Sequence, residues 1–130
     1  MESDGAMYSE IYLEHFQSPH NVGTLDNPDA YGEAKEEKVA YEVLFFLRVK
    51  DDIIVESRFQ ARGCSAAIAS ASALTVLIQG KTVDEADEMD IEKLDDYLET
   101  VPVSKIECCV LAIRALRDAV ADYRRRKNQP

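Results

Sequence analysis

Two runs of alternating apolar and polar residues, joined by one short polar turn, constrain the middle of this chain more than anything else in it. Val39, Tyr41, Val43, Phe45, Leu47 and Val49 recur at period two, with Glu42, Arg48 and Lys50 among the residues between them. Successive side chains of a strand point to opposite faces, so the run predicts a strand with one buried side. Lys50-Asp51-Asp52 reads as a turn, and alternation resumes with Ile53, Val55, Ser57, Phe59 and Ala61 inward against Glu56, Arg58, Gln60 and Arg62 outward. Together the runs predict an antiparallel hairpin. It ends at Gly63, and Ser65 to Ile78 is a predicted helix, rich in alanine and serine until Leu74 and stopped at Gly80.

The flanking segments fill in the architecture. Ser9 to Gln17 reads as a short helix with Ser9 as N-cap and an apolar face of Ile11, Tyr12, Leu13 and Phe16. Pro19, Gly23 and Pro28 then break the chain into an extended loop ending near Gly32. Beyond Gly80, two short acidic helices are expected at Val83 to Glu88 and Ile91 to Leu98, and Val101-Pro102-Val103 leads into a last helix. That helix repeats apolar residues at Ile106, Cys109, Val110, Ile113, Leu116, Val120 and Tyr123, and Arg124 to Lys127 at its end complement the helix dipole. Helix, strands, then helices predict an α+β fold, a small antiparallel sheet covered on one face by helices.

At 130 residues with 46% hydrophobic composition, one domain with one core suffices, placed here at 7–127. Residues 1–6 read as a disordered lead or a cloning remnant, and 128–130 as a tail. A net charge of −10 argues against nucleic acid or an anionic membrane as the main partner, since both need a basic face; a basic protein remains allowed. No apolar run approaches the ~18 residues of a membrane span, and no signal-peptide pattern is present, so a cytoplasmic location is expected. Three cysteines, two of them adjacent, argue against a disulfide framework and for a reducing compartment.

The cysteines carry most of the functional signal. Gly63-Cys64-Ser65-Ala66-Ala67-Ile68-Ala69-Ser70-Ala71-Ser72 and Lys105-Ile106-Glu107-Cys108-Cys109 each put a thiol at the first turn of a predicted helix. Unpaired backbone N–H groups and the positive dipole end favour the thiolate there, and the thiolate is both nucleophile and metal ligand. With Tyr8-Ser9-Glu10, His15-Phe16, Pro19-His20-Asn21-Val22-Gly23 and Ala121-Asp122-Tyr123, these segments resemble the iron-sulfur cluster assembly scaffold family, the U-type scaffold found alone or as the N-terminal domain of NifU. The resemblance runs in one register from about Tyr8 to Tyr123. It implies the same fold, with a third strand around Tyr31 to Glu36 that the residues themselves show only weakly.

The resemblance also assigns ligands. Cys64 and Cys108 match ligand cysteines of the family, whereas its first ligand loop, Cys-Gly-Asp, falls on Val39-Ala40-Tyr41 and has lost both donors. Glu107 stands where many members have histidine; a carboxylate can bind iron or zinc but is a harder ligand, and Glu107 reads more readily as a solvated first-turn carboxylate favouring the dipole. Cys109 lies about 100° around the helix from Cys108, on the apolar stripe, and reads either as packing or as a further ligand. His15 and His20 are expected in packing or surface roles. The acidic run Asp84-Glu85-Ala86-Asp87-Glu88 reads as a solvated helix side.

By the resemblance, the chain is a scaffold or carrier that accepts sulfur from a cysteine desulfurase, holds a labile cluster, expected as [2Fe-2S], and passes it to recipient apoproteins. Its role is non-enzymatic unless it follows a second reading, the zinc-binding members that act as sulfurtransferases. A third is a degenerate relative that regulates by binding, supported by the missing loop. The family's chaperone-held Leu-Pro-Pro-Val-Lys falls on Val101-Pro102-Val103-Ser104-Lys105 and keeps only the first proline and the lysine, which weakens the expectation of chaperone handling. A tetrahedral site needs four donors and one chain is short, so a cluster bridging a homodimer is expected, with Cys64 and Cys108 each used twice.

Overall fold

The computed structural model describes residues 8–99 and 101–128. The lead expected at 1–6 and residues 129–130 of the expected tail lie outside them. Among the described residues, five α-helices and three strands follow in the order α1 (Glu10–Gln17), β1 (Ala30–Glu36), β2 (Tyr41–Lys50), β3 (Ile53–Arg62), α2 (Ser65–Ile78), α3 (Val83–Asp87), α4 (Ile91–Leu98) and α5 (Ile106–Lys127). The antiparallel sheet is ordered β1-β2-β3, with β2 central. Among the described residues, no helix is long and apolar enough to cross a membrane.

The hairpin forms as expected, its turn made by Asp51 and Asp52, both left-handed. Val43, Phe45 and Leu47 are fully buried against the helices. The inward set expected for β3 needs correction. Arg48 pairs with Glu56 but Val49 pairs with Ile54, so Val55 is an extra residue in the ladder. This bulge flips the parity: Ile54 is fully buried, while Ile53 and Val55 are 40% and 44% exposed. Val39 is also displaced from the expected strand. Residues 37–39 form a 3-10 turn, Ala40 takes a left-handed φ of 56°, and Val39 is exposed.

β1 is built from small residues because α5 crosses it closely. Ala30, Gly32 and Ala34 face inward, and a Cβ on Gly32 would overlap the backbone N of Ala119 and the carbonyl of Ala115. The outer edge of β1 is covered by two α5 carboxylates one turn apart. Tyr31 N–H donates to Asp122 at 2.9 Å and Glu33 N–H to Asp118 at 3.0 Å, satisfying strand donors that would otherwise be free to pair with another chain. At the other edge, Phe59 N–H donates to Asn21 O (3.0 Å) and Phe59 O accepts from Gly23 N–H (2.8 Å).

α2 is buried almost all round, packed against β3, α1 and α5, which is why its residues are small. On α5 the buried stripe contains Cys109, Ala112, Ile113, Leu116, Ala119 and Val120, whereas Val110, expected on it, is exposed. The segment 103–105 is a 3-10 turn that starts α5, closed by Lys105 N–H to Pro102 O at 2.8 Å. At the other end of α5, Lys127 and Tyr123 both hold Asp52, and Arg124 holds Asp84 and Asp87.

α1 is capped by Ser9, whose Oγ accepts from Tyr12 N–H (3.0 Å) and donates to Leu98 O at the end of α4. Its buried residues are Tyr12 and His15, and Phe16, expected inward, is exposed. His15 is a core residue: Nδ1 lies 2.7 Å from Ser72 Oγ and Nε2 3.1 Å from Tyr97 Oη. His20 is at the surface, bonded to Glu14.

Gly32→Ala is expected to destabilise the fold by about 3 kcal/mol or more, because the added methyl meets backbone that cannot move aside; the midpoint and slope of urea unfolding measure it. Burial, with His20 beside it, holds His15 below its ordinary value of 6.5. The unfolded chain therefore takes up the proton first, so the stability contributed by neutral His15 is complete above 6.5 and lost as pH falls from there through the lower folded value. Urea midpoints should decline between about pH 7 and about pH 5, and decline less in His15→Gln when each protein is referenced to its own neutral value.

Candidate functional site

The starts of α2 and α5 converge on one cleft of about 690 Å³. Cys64 is the N-cap residue of α2, in extended conformation, and its carbonyl accepts from Ala67 and Ile68 N–H at 3.1 and 3.2 Å. Its side chain makes no capping bond, so the sulfur is free to point into the cleft while the helix N–H groups lie behind it. Gly63 makes the preceding bend at φ +108°, where a side chain would be strained and would strike the Tyr41 ring. Cys108 is the third residue of α5, half-buried, on the opposite wall.

The two thiols expected to act together are brought together. Their Cα atoms are 6.5 Å apart across a separation of 44 residues, and the two sulfurs face each other in contact. This contact joins the two matched ligand positions. Cys109 is fully buried against α2 on the other side of the helix, and burial pushes its thiol pKa up. It packs in the core rather than facing the cleft. Glu107 is exposed and lines the cleft.

Val39 and Tyr41 also line the cleft, so the register inferred for the missing ligand loop places those positions at the site. Ala40 between them holds a left-handed φ that ordinarily favours glycine, the residue of the family pattern there. The backbone of that loop is kept and its donors are replaced by an isopropyl group and a phenol. Among the described residues, no group of three or more His, Cys, Asp or Glu side chains is placed to hold a metal ion. One chain thus presents two thiols and a flanking carboxylate. Apart from Glu107, sequence reasoning missed the charged rim, made by Lys38, Lys105 and Arg114 with Glu36 and Glu107. These residues are scattered over β1, α5 and two 3-10 turns, and no spacing signals them.

Comparison with known proteins places this arrangement. The NifU-like N terminal domain model matches residues 7–130. The chain is 37% identical over 124 residues to the iron-sulfur cluster assembly scaffold protein IscU of Escherichia coli, covering 92% of this chain and 96% of the relative. It is 36% identical over 123 residues to IscU 1 of Archaeoglobus fulgidus, covering 95% and 80%. Among solved structures, the NifU-like N-terminal protein of Brucella abortus superposes with a TM-score of 0.74 at 19% identity over 92% of this chain and 95% of that one. A scaffold protein of Fervidobacterium islandicum, described as putative for the SUF system, gives 0.72 at 21% identity over 91% and 99%. These two likenesses show the fold.

After full reduction, Cys108 should be alkylated by iodoacetamide in the native state, whereas Cys109 should be protected by about a hundredfold or more until the chain unfolds, being both buried and less acidic. Mass mapping of alkylated peptides against time distinguishes them; equal rates would show that Cys109 shares the cleft.

Proposed function

We infer that this chain, which belongs to the NifU-like N-terminal domain family, works as an iron-sulfur cluster assembly scaffold. The observation that supports this most directly is the convergence of Cys64 and Cys108 from two helix starts at the mouth of one cleft. Soft thiolates suit iron and sulfide, and the helix N-termini favour the thiolate form. The cluster is cargo, and a [2Fe-2S] unit fits a pair of thiolates from each of two chains.

Sulfur arrives as persulfide from a cysteine desulfurase. The Cys108 thiolate, the more exposed of the pair, attacks the outer sulfur of the donor persulfide; the donor S–S bond breaks and its thiolate leaves with the electron pair. The sulfur atom then sits beside Cys64, where iron must be bound. Tyr41 over Gly63 limits water on that side. Delivery to recipient apoproteins and a cytoplasmic setting complete the reading.

With Val39 and Tyr41 in place of the family's cysteine and aspartate, a single chain falls short of four donors, so the cluster bridges two subunits through Cys64 and Cys108 of each. The same loss supports a second reading, a relative that binds the desulfurase and regulates it without carrying a cluster. Zinc on the same four thiolates is the third occupant to test for.

Anaerobic reconstitution with iron and sulfide should give a visible chromophore in the wild type and in Cys109→Ser, and none in Cys64→Ser or Cys108→Ser. Native mass spectrometry of the product should show a dimer with one two-iron, two-sulfide mass. A monomer carrying that mass would refute bridging. A protein that retains neither iron, sulfide nor zinc yet binds the desulfurase by calorimetry would leave the regulatory reading, and absence of binding in every metal state would remove both.

A further inference from the structure

We propose that segment 37–41, where Val39 and Tyr41 stand at the family's ligand positions, has become a seat for a second copy of this chain, in which Val39 and Val110 of each subunit form an apolar seal around a cluster held between the two pairs of thiols. The proposal deepens the bridged-scaffold reading and rests on it. Among the described residues, one chain supplies too few donors for a cluster, so the site is incomplete without the second copy.

Val39 and Val110, two valines expected inward, both stand at the mouth of the cleft that holds Cys64 and Cys108, 50% and 38% exposed. Val103, 82% exposed, immediately precedes Ser104 and Lys105 of the same lining. Local geometry puts Val39 there. The 3-10 turn at 37–39 and the left-handed Ala40 turn it out of β2, in a backbone conformation that alanine adopts against its preference. Scattered exposed valines need no explanation, but several around one incomplete site form a surface suited to being covered.

Charge favours a copy of this chain as the cover. A net charge of −10 repels a second copy over most of the surface. At the cleft the balance differs, because Lys38, Lys105 and Arg114 stand with Glu36 and Glu107, leaving no acidic excess to keep two copies apart. A two-fold axis through the cleft brings the same patch of both copies together, with four thiolates at the centre and the valines around them. Burying the valines withdraws water from the open side of the cluster. A few valines are small against a standard interface, so the metal-free protein associates weakly and the bonds from both copies to the cluster complete the dimer.

Sedimentation velocity and visible absorption of anaerobically reconstituted protein test this, comparing the wild type with Val39→Asn/Val110→Gln. The control is Val55→Asn/Val76→Gln, at valines outside the cleft lining that are 44% and 37% exposed. Urea midpoints of the metal-free proteins check the fold, and single Val39→Asn, in a turn outside the core, serves if the double variant is destabilised. The wild type and the control should dimerise on loading. In the seal variant the dissociation constant of the loaded dimer should rise by at least roughly tenfold, because four part-exposed valines leave one interface, and a chelator should bleach the cluster correspondingly faster. Unchanged dimer dissociation and bleaching in the seal variant overturn the seal and leave bridging in place, as does an equal loss in the control. A wild type that is monomeric with iron and sulfide bound removes the bridged reading and this inference together. If iron and sulfide are never retained, self-association of the metal-free protein at high concentration decides: the same dependence on Val39 and Val110 supports the seal, and its absence overturns it.

Discussion

The approach of α5 to β1 is the contact on which the rest of the structure depends. It is made backbone to backbone, through Gly32 against Ala115 and Ala119, and no side chain intervenes to take up slack. The long helix is thereby fixed in depth against the sheet. Asp118 and Asp122 fix its rotation by bonding the edge strand, and Arg124 and Lys127 tie its far end to α3 and the β2–β3 turn. With depth, rotation and far end set, the first turn of α5 has one place to be, and Cys108 comes with it.

The second wall of the site is positioned by continuity of chain. β3 runs directly into α2 through Gly63, so Cys64 sits where the sheet ends and the helix begins. Because α2 is wedged between sheet and helices on small side chains, it cannot shift without opening the core. Two helix starts meeting at one cleft then yield a site whose electrostatics come from backbone as much as from side chains. The replacement of two polar ligands by Val39 and Tyr41 leaves that backbone contribution in place.

Much of this was legible in the residues. The hairpin, the bounds of α2 at Ser65 and Ile78 and the N-cap at Ser9 follow from period, glycine and capping chemistry, which act locally. The bulge at Val55 was not legible, because Ile53, Ile54 and Val55 are all apolar and allow either parity until Thr75, Ile78 and the rest of α2 show which side is covered. β1 was weak for a related reason: Ala30, Gly32 and Ala34 have poor strand propensity and were selected by the closeness of a helix some eighty residues later. Val110 and Phe16 were misplaced because apolar type was taken for burial, which holds in one direction only. At the site, the thiols were readable from local helix-start patterns, whereas their pairing and the charged rim depend on tertiary placement.

Seen as polymer topology, cargo gripped by both Cys64 and Cys108 would be a latch that closes a loop containing α2, α3 and α4. Restricting the unfolded chain over a loop of 44 residues stabilises the closed form by ~4 kcal/mol in the chain-entropy picture. The loaded protein is then the tethered and more robust one. Opening the latch to release cargo slackens the tie between the two helix starts, so delivery and resistance to unfolding are set against each other at a single site.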